Sequence, residues 1–238
     1  MAISERFTDD TNVYEALVGE RVAEVRDRIV MARSRGGLGQ EVTLIAVTKT
    51  HGPEAVVAAW KAGVVDVGEN RVQEAESKMT NVSVPVRWHL IGHLQRNKAK
   101  PATQFALVHS LDSERLAASL SAAAEVSGRR LDVLVQVNVS QEATKYGFAT
   151  EEIPALADRL HALPYLRVMG AMTMAPFDAP EPVLRSVFVG ARAVQTQLRS
   201  AGHPASVLSM GMSGDYELAV EEGATHIRLG TILFGDRG

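Results

Sequence analysis

Short apolar runs rich in β-branched residues alternate with longer segments that carry apolar residues at helical spacing. Runs of the first kind predict buried strands, and segments of the second kind predict helices. The predicted strands are 42–49, 64–70, 86–93, 106–112, 131–139, 166–173, 206–213 and 226–235. The predicted helices between them are 53–63, 113–127, 151–162, 181–200 and 214–222. An amphipathic helix over about 9–35 precedes the first strand.

The alternation of near-continuous apolar strands with helices favours parallel strands that are buried on both faces. Eight such strands are enough to close a (β/α)8 TIM barrel. An open, doubly wound sheet is the competing fold, but no G-x-G-x-x-G follows the first strand, where a dinucleotide site would lie. We therefore expect residues 1–238 to form a single domain, with the barrel over about 42–235.

Composition and charge exclude several classes of protein and of functional site. The net charge is −3, so nothing indicates a nucleic-acid or membrane surface, and no apolar run reaches the ~20 residues of a membrane helix. The chain has no cysteine, which excludes disulfides, thiolate catalysis and cysteine metal sites. The polar, acidic start "MAISERFTDD" is unlike a signal or transit peptide. We expect a cytoplasmic protein.

Polar residues end nearly all the predicted strands. In a barrel of this kind the active site lies at the carboxyl ends of the strands. The residues at these ends are Lys49, Asn70, His93, Asp112, Asn138, Thr173, Ser213 and Gly230. A single polar residue there is usually part of a turn or a helix cap, but a whole series indicates a polar site at one end of the barrel.

Lys49 and Arg228 are the most informative of the charged residues. A lysine that is partly desolvated beside a second cation has a lowered pKa and forms Schiff bases readily. Arg228 lies in the eighth strand, next to the first, and stands between Ile227 and Leu229, so it is not a solvated surface charge. The alternative is a salt bridge inside the barrel to Glu69 or Asp66, because a buried guanidinium needs an acceptor.

The segment "SMGMSGD" and the dipeptide "GT" predict a phosphate site. Barrels often bind phosphate between the loops after strands seven and eight. Ser209 and Ser213 supply hydroxyls, the helix from about Gly214 adds a partial positive charge, and the amides of Gly230 and Thr231 can approach a phosphate closely. A simple Ser/Gly-rich turn explains this segment equally well. Together with Lys49, however, the pattern predicts a phosphate-bearing aldehyde.

Two histidines, His89 and His93, have a spacing that would suit a metal site on a helix. In a strand, residues four apart are separated by ~13 Å, too far to share one ion. The other histidines are scattered along the chain, so we predict no metal.

Seven segments resemble the pyridoxal phosphate homeostasis proteins (the YggS/PROSC family), over about residues 42–235. These segments are "AVTKTHGPEAV", "GENRVQEAESK", "WHLIGHLQRNKAK", "HSLDS", "VNVSQEATKYGF", "GAMTMAP" and "LSMGMSGDYELAVEEGATHIRLGTILFG". The resemblance implies a fold-type III barrel, like the N-terminal domain of alanine racemase, that carries pyridoxal 5′-phosphate (PLP).

The resemblance also implies roles for individual residues. Lys49 would form the internal aldimine with PLP, and Arg228 would face the pyridine nitrogen. The remaining positions would surround the phosphate (Ser209, Met210, Ser213, Gly230 and Thr231) or border the ring (Val47, Asn70 and His89).

Members of this family hold, buffer and deliver PLP without robust catalytic turnover. A racemase needs a second acid/base on the opposite face of the ring, and we expect this chain, which ends shortly after "LFG", to lack the domain that supplies it. A PLP-dependent racemase or lyase of narrow scope is the main alternative, and a phosphosugar aldolase that uses Lys49 without a cofactor is another. We expect PLP-requiring apo-enzymes as partners, and a monomer or weak dimer.

Overall fold

A computed structural model describes residues 2–142 and 145–235, with side chains from residue 11 onward. Among these residues, parallel strands pair in chain order, and the last also pairs with the first to close a barrel. The strands are β1 (Thr43–Val47), β2 (Asp66–Glu69), β3 (Arg87–Leu90), β4 (Leu107–Leu111), β5 (Leu131–Gln136), β6 (Leu166–Met172), β7 (Val207–Ser209) and β8 (His226–Leu229). The (β/α)8 prediction is confirmed, and the doubly wound alternative is wrong.

Helices cover the outside of the barrel. They are α1 (Ala2–Gly36), α2 (Pro53–Lys61), α3 (Val72–Asn81), α4 (Ala99–Ala102), α5 (Glu114–Val126), α6 (Ile153–Leu160), α7 (Glu181–Ser200), α8 (Tyr216–Glu221) and α9 (Thr231–Phe234). Short 3₁₀ turns at Arg96–Lys98 and Thr150–Glu152 precede α4 and α6. The largest apolar cluster lies between these helices and the outer faces of the strands.

The N-terminal helix α1 packs against α2 and α8. Its buried side chains recur every three or four residues and form one stripe, which is the pattern of an amphipathic helix. These side chains are Val18, Val22, Val25, Ile29 and Ala32. The helix begins before the predicted residue 9, because residues 2–8 contain no proline or glycine that would end a helix even though they lack the apolar period.

The last two strands are shorter than predicted. Strand β7 ends at Ser209, and Gly211 then turns the chain with φ +93°, where a Cβ would lie 2.7 Å from the Cβ of Ala219. Strand β8 ends at Leu229, and the apolar residues after Gly230 form α9. A short apolar run does not reveal by itself whether it is strand or helix, which explains the error for this segment.

Register between β1 and β8 brings the two ends of the sheet together. Ile45 lies opposite Arg228, and Leu44 lies opposite Ile227. Lys49 follows β1 by two residues, so the two predicted cations come from neighbouring strands. The pairing of β1 with β8, which closes the barrel, therefore brings Lys49 and Arg228 to the same side of the site.

Candidate functional site

A cavity of about 690 Å³ opens at the carboxyl ends of the strands. Of the predicted strand-end residues, Lys49, Asn70, His93, Ser213 and Gly230 line it. The other three make local hydrogen bonds: Asp112 with His93, Asn138 with the Glu142 carbonyl and Thr173 with the Val137 carbonyl. The series of polar strand ends thus combines cavity residues with residues that stabilise loops.

The segment that carries Lys49 is held by a set of polar side chains, which we call the lysine network: the buried Thr48, Glu69 and Lys78, and the partly exposed Glu74. Lys78 Nζ donates to the Thr48 carbonyl at 2.7 Å, to Glu69 Oε1 at 2.6 Å and to Glu74 Oε1 at 2.9 Å. The Thr48 hydroxyl also donates to Glu69 Oε1 at 2.6 Å. Residues on both sides of the Lys49 backbone are therefore fixed, because Glu74 also accepts the amide of Thr50.

The two carboxylates of the lysine network differ in their pKa. Burial raises the pKa of Glu69 more than the hydrogen bonds from Lys78 and Thr48 lower it. Burial also raises the pKa of Glu74, but the hydrogen bonds from Lys78 and from the Thr50 amide lower it by more, so the pKa of Glu74 is lowered overall. Glu74 is the more exposed of the two, and water reduces the penalty for its charge.

Arg228 lines the cavity although only 5% of the residue is exposed. Its Nη1 donates to the Ser209 hydroxyl at 2.6 Å, and its Nη2 donates to the Thr173 carbonyl at 2.9 Å. Burial lowers the pKa of Arg228 to about 10, and the charge of Asp215 acts in the opposite direction. The guanidinium remains a cation at neutral pH, and its five donors allow it to bind a ligand acceptor as well.

The alternative salt bridge between Arg228 and Asp66 or Glu69 is wrong. Asp66 accepts hydrogen bonds from Arg87 and His89, and Glu69 accepts them from Thr48 and Lys78. Both carboxylates are thus engaged elsewhere. Arg228 instead meets neutral oxygen acceptors at the floor of the cavity.

Loops after β7 and β8 form the wall beside Arg228. Ser213, Gly230 and Thr231 line the cavity there, and the Ser213 hydroxyl accepts the amide of Ile232 at 3.5 Å. A Cβ on Gly230 would lie 3.2 Å from the Val47 carbonyl oxygen, so a larger residue would press against β1. The hydroxyls and the open backbone at Gly230 provide the donors that a phosphate requires.

Three predicted cofactor-contacting residues are not part of the cavity wall: His89, Ser209 and Met210. Both ring nitrogens of His89 have partners inside the barrel, Asp66 and His109. The Ser209 hydroxyl is bonded to His109 and Arg228, and the amide of Met210 donates to the His226 carbonyl. The geometry therefore does not favour direct contact between these three residues and a ligand in the cavity. The other two predicted ring neighbours, Val47 and Asn70, do line it.

Comparison with known proteins identifies the family of this barrel. Residues 22–238 match the family model of the alanine racemase N-terminal domain. The pyridoxal phosphate homeostasis protein of Pseudomonas aeruginosa is 41% identical over 223 residues, which cover 92% of this chain and 96% of that protein. The corresponding protein of Aquifex aeolicus is 40% identical over 223 residues, at 92% and 97% coverage. The chain belongs to the pyridoxal phosphate homeostasis protein family.

Solved structures agree with this family assignment. The structure of PipY from Synechococcus elongatus with PLP bound is 36% identical, has a TM-score of 0.81, and is matched over 92% of this chain and all of that one. Alanine racemase from Corynebacterium glutamicum has a TM-score of 0.71 at 14% identity, over 92% of this chain and 60% of that one, and therefore supports the fold alone. The resemblance stated from the sequence motifs is confirmed.

Several residues that shape this family member's site were missed or misread in the sequence. Lys78 is buried with only 4% exposure, although the alternating charges of "GENRVQEAESK" are typical of a solvated helix. Glu74 and Lys78 are four residues apart, a spacing that is typical of exposed ion pairs on a helix. Tyr146 also lines the cavity and stacks on His93 with ring centroids 4.0 Å apart, and Phe177 lies at the cavity wall with 98% exposure. No apolar period marks either aromatic residue.

Within residues 11–142 and 145–235, no three histidine or acidic side chains converge as a metal site would require. None of the helices in that part of the chain has both the length and the apolar content to span a bilayer.

Proposed function

We propose that this protein binds PLP in the cavity and acts in PLP homeostasis, by holding, buffering and delivering the cofactor. The observation that carries the proposal is that Lys49, Arg228 and the hydroxyls of Ser213 and Thr231 border one cavity. PLP requires an amine for its aldehyde, a hydrogen-bond donor that faces its pyridine nitrogen, and a site for its phosphate. Family membership and the PLP-bound structure of PipY support the same ligand.

Lys49 is the residue that we propose to carry the cofactor. Its Nζ attacks the aldehyde carbon, the carbon–oxygen double bond is replaced by a carbon–nitrogen double bond, and the oxygen leaves as water. The lysine network fixes the backbone on either side of Lys49, which restricts the positions that the amine can reach. Attachment through Lys49 would retain PLP far longer than noncovalent contacts alone.

The remaining contacts follow from the walls of the cavity. Ser213, Gly230 and Thr231 are the proposed phosphate contacts, and Val47 and Asn70 are the proposed neighbours of the ring. Ser209 and His89, which the sequence also suggested, are proposed to act on the cofactor through Arg228 rather than by direct contact, and Met210 does not line the cavity.

Arg228 is proposed to face the ring nitrogen. A guanidinium only donates hydrogen bonds, so it favours an unprotonated nitrogen, since two facing cations repel each other. An unprotonated pyridine is a weak electron sink for a developing carbanion. This arrangement suits a protein that holds PLP without consuming it.

Partners and assembly are further parts of the proposal. The recipients of PLP are apo-enzymes that require it, and the chain acts as a monomer or weak dimer. Incubation of the PLP-loaded protein with an apo-enzyme should restore the activity of that enzyme, and light scattering should give the mass of one or two chains. Unchanged apo-enzyme activity would contradict delivery while leaving PLP binding in place.

Borohydride reduction followed by peptide mapping tests the site. The reduced phosphopyridoxyl group should be recovered on Lys49, and Lys49→Ala should yield none. Lys145 is the matched alternative, because its Nζ lies 3.3 Å from the carbonyl of Met174, a cavity residue. Recovery of the label mainly on Lys145 would contradict the assignment.

Exchange of the Cα proton of amino acids for solvent deuterium separates the homeostasis role from an enzyme of narrow scope. We expect no exchange at an enzyme-like rate with any common amino acid. Rapid exchange with inversion for one of them would identify a racemase instead.

A further inference from the structure

A chain of hydrogen bonds crosses the inside of the barrel, and we call it the histidine relay (Asp66, His89, His109, Ser209 and Arg228). Asp66 Oδ1 lies 2.8 Å from His89 Nε2, and His89 Nδ1 lies 2.9 Å from His109 Nε2. His109 Nδ1 lies 2.9 Å from the Ser209 hydroxyl, which accepts from Arg228 Nη1 at 2.6 Å. Each member is at most 5% exposed. The chain thus runs from the start of β2 to the floor of the cavity without a contact to bulk water at its centre.

The two ends of the histidine relay fix the direction of every bond within it. Arg228 can only donate, and an ionised Asp66 can only accept. Burial alone would raise the pKa of Asp66, but the hydrogen bonds from His89 and Arg87 outweigh it and the pKa is lowered, so the carboxylate is ionised at neutral pH.

The internal bonds then follow one by one. Because Ser209 accepts from Arg228, its own hydrogen is directed to His109 Nδ1. His109 must then donate from Nε2 to His89 Nδ1, and His89 must donate from Nε2 to Asp66. Both imidazoles are neutral and protonated on Nε2.

The opposite direction of hydrogen bonding in the histidine relay is unfavourable. A proton on Nδ1 of His109 would be donated to the Ser209 hydroxyl, which would leave the serine hydrogen without its acceptor, since the contacts of this hydroxyl in the described structure are His109 and Arg228. Burial, together with the positive charge of Arg228, also holds the pKa of His109 well below its usual value. His226 lies beside the relay, with its ring centroid 6.3 Å from that of His89, but it bonds to Thr225 instead.

We propose that His89, His109 and Ser209 are positioning residues, and that their fixed direction of hydrogen bonding sets the orientation of the Arg228 guanidinium toward the ring nitrogen of the cofactor. The proposal rests on the proposed function, since it assumes PLP in the cavity. Ser209 and the Thr173 carbonyl together hold two nitrogens of one planar group. Because a guanidinium is rigid, two fixed nitrogens determine the plane of the whole group.

Another buried histidine supplies a matched control. His203 is 8% exposed, its Nε2 bonds to the Ala157 carbonyl at 2.9 Å, and its ring stacks on His161, which is not a member of the relay. Burial lowers its pKa as it does that of His109. Replacement of His203 therefore imposes a comparable packing change without touching Arg228.

Ring-nitrogen NMR of the full chain, labelled with ¹⁵N-histidine and free of cofactor, tests the relay by itself. His89 and His109, assigned from the signals lost in His89→Gln and His109→Gln, should both carry their proton on Nε2 at pH 7.5. A proton on Nδ1 of either ring, or a doubly protonated ring, would overturn the relay. This result does not depend on whether the chain binds PLP.

Titration with PLP tests the positioning role. Ser209→Ala should weaken PLP binding about tenfold, which corresponds to one hydrogen bond to a charged group. It should also change the absorption spectrum of the bound cofactor, and Ser209→Thr, which keeps the hydroxyl, should restore the wild-type spectrum. His203→Gln should bind PLP as wild type does. Failure of wild type to bind PLP would refute the proposed function, and with it the positioning role.

Wild-type affinity and spectrum in Ser209→Ala would refute the positioning role while leaving the proposed function intact. If Ser209→Ala does not fold, His109→Gln provides the same comparison against His203→Gln. An equal loss of affinity in His109→Gln and His203→Gln, with unchanged spectra, would also overturn the proposal, because it would show an effect of stability alone.

Discussion

The lysine network and the histidine relay support the two neighbouring cations of the same cavity, Lys49 and Arg228, and they compensate buried charge differently. In the lysine network, the cation of Lys78 directly contacts Glu69 and Glu74, so each carboxylate has a positive charge within 3 Å. In the histidine relay, Asp66 pairs with the largely exposed Arg87, and two neutral rings and a hydroxyl separate it from the buried cation of Arg228. The first arrangement fixes a backbone segment, and the second fixes the orientation of one side chain.

This difference indicates which network dominates stability. Removal of one partner from a buried ion pair leaves an uncompensated charge, whereas the members of a neutral chain lose single hydrogen bonds. We therefore expect the largest losses of stability in the lysine network. The histidine relay should instead have its main effect on the bound cofactor.

Lys78→Met is the substitution with the largest expected effect. It leaves Glu69 buried and without its cation, which should lower the free energy of unfolding by about 3–5 kcal/mol. Guanidinium unfolding gives the value. Lys61→Met is the matched control, because Lys61 pairs with Glu15 while its side chain is 50% exposed, and it should cost at most about 1 kcal/mol. Similar losses for both lysines would contradict the comparison.

Thr48→Val tests the neutral donor of the lysine network. Glu69 keeps Lys78 but loses the hydroxyl bond, so the free energy of unfolding should fall by about 2 kcal/mol. Urea unfolding of this variant and of Thr80→Val, whose exposed hydroxyl bonds to the Glu76 carbonyl, should give clearly different midpoints. A midpoint for Thr48→Val equal to that of Thr80→Val would show that Lys78 alone compensates Glu69.

The partly buried ring of His226, beside the histidine relay, should make the free energy of unfolding depend on pH in the acid range. Burial above all lowers the pKa of His226 to about 4; the positive charge of Arg87 acts in the same direction, and the charge of Asp66 opposes it. Between about pH 6.5, the usual histidine pKa, and pH 4 the unfolded chain binds a proton here that the folded chain does not. Stability is therefore retained above about pH 6.5 and falls by about 1 kcal/mol per pH unit as the pH drops through that window.

Urea unfolding at a series of pH values checks this slope. His226→Gln removes the titrating group, so its stability should depend less steeply on pH than that of the wild type. An unchanged slope would mean that His226 does not contribute to acid sensitivity.

Arg87→Ala should have the smallest effect. Arg87 bonds to Asp66 at the outer end of the histidine relay, but 62% of its side chain is exposed, so solvent screens the pair. We expect a loss of less than about 1 kcal/mol and nearly unchanged PLP affinity. Calorimetric melting and PLP titration measure the two quantities. A large loss of affinity would show that the charge state of Asp66 depends on Arg87.

The barrel and one side of the site were predictable from the sequence for a simple geometric reason. Parallel strands that alternate with helices bring all their carboxyl ends to one face, so the positions of Lys49, Asn70 and Ser213 follow from strand boundaries. Arg228 could be identified because a charge between two apolar residues of a strand is rare. These inferences need only local patterns along the chain.

The two supporting networks could not be predicted in the same way. Strands such as "ALVHSLD" are apolar on both faces, so the sequence does not reveal that His109 points into the barrel. The partners of His109, which are His89 and Ser209, come from strands far apart in the chain. The spacing of Lys78 from Glu74 is typical of an exposed ion pair on a helix. Its burial depends on the neighbouring loop after β1, which a local pattern does not reveal. Such contacts arise only from the closed three-dimensional arrangement.

The pairing of β1 with β8 has a consequence for how the protein folds. It joins residues from nearly opposite ends of the chain, and contacts of such long sequence separation form late because loop-closure entropy opposes them. Lys49 stands on one side of this seam, and Arg228 and Gly230 stand on the other. A ligand that binds both sides binds only the closed barrel, so mass action by the ligand stabilises the final step of folding. The colour of bound cofactor would then serve as a direct report, during refolding, of the moment at which the ring of strands is completed.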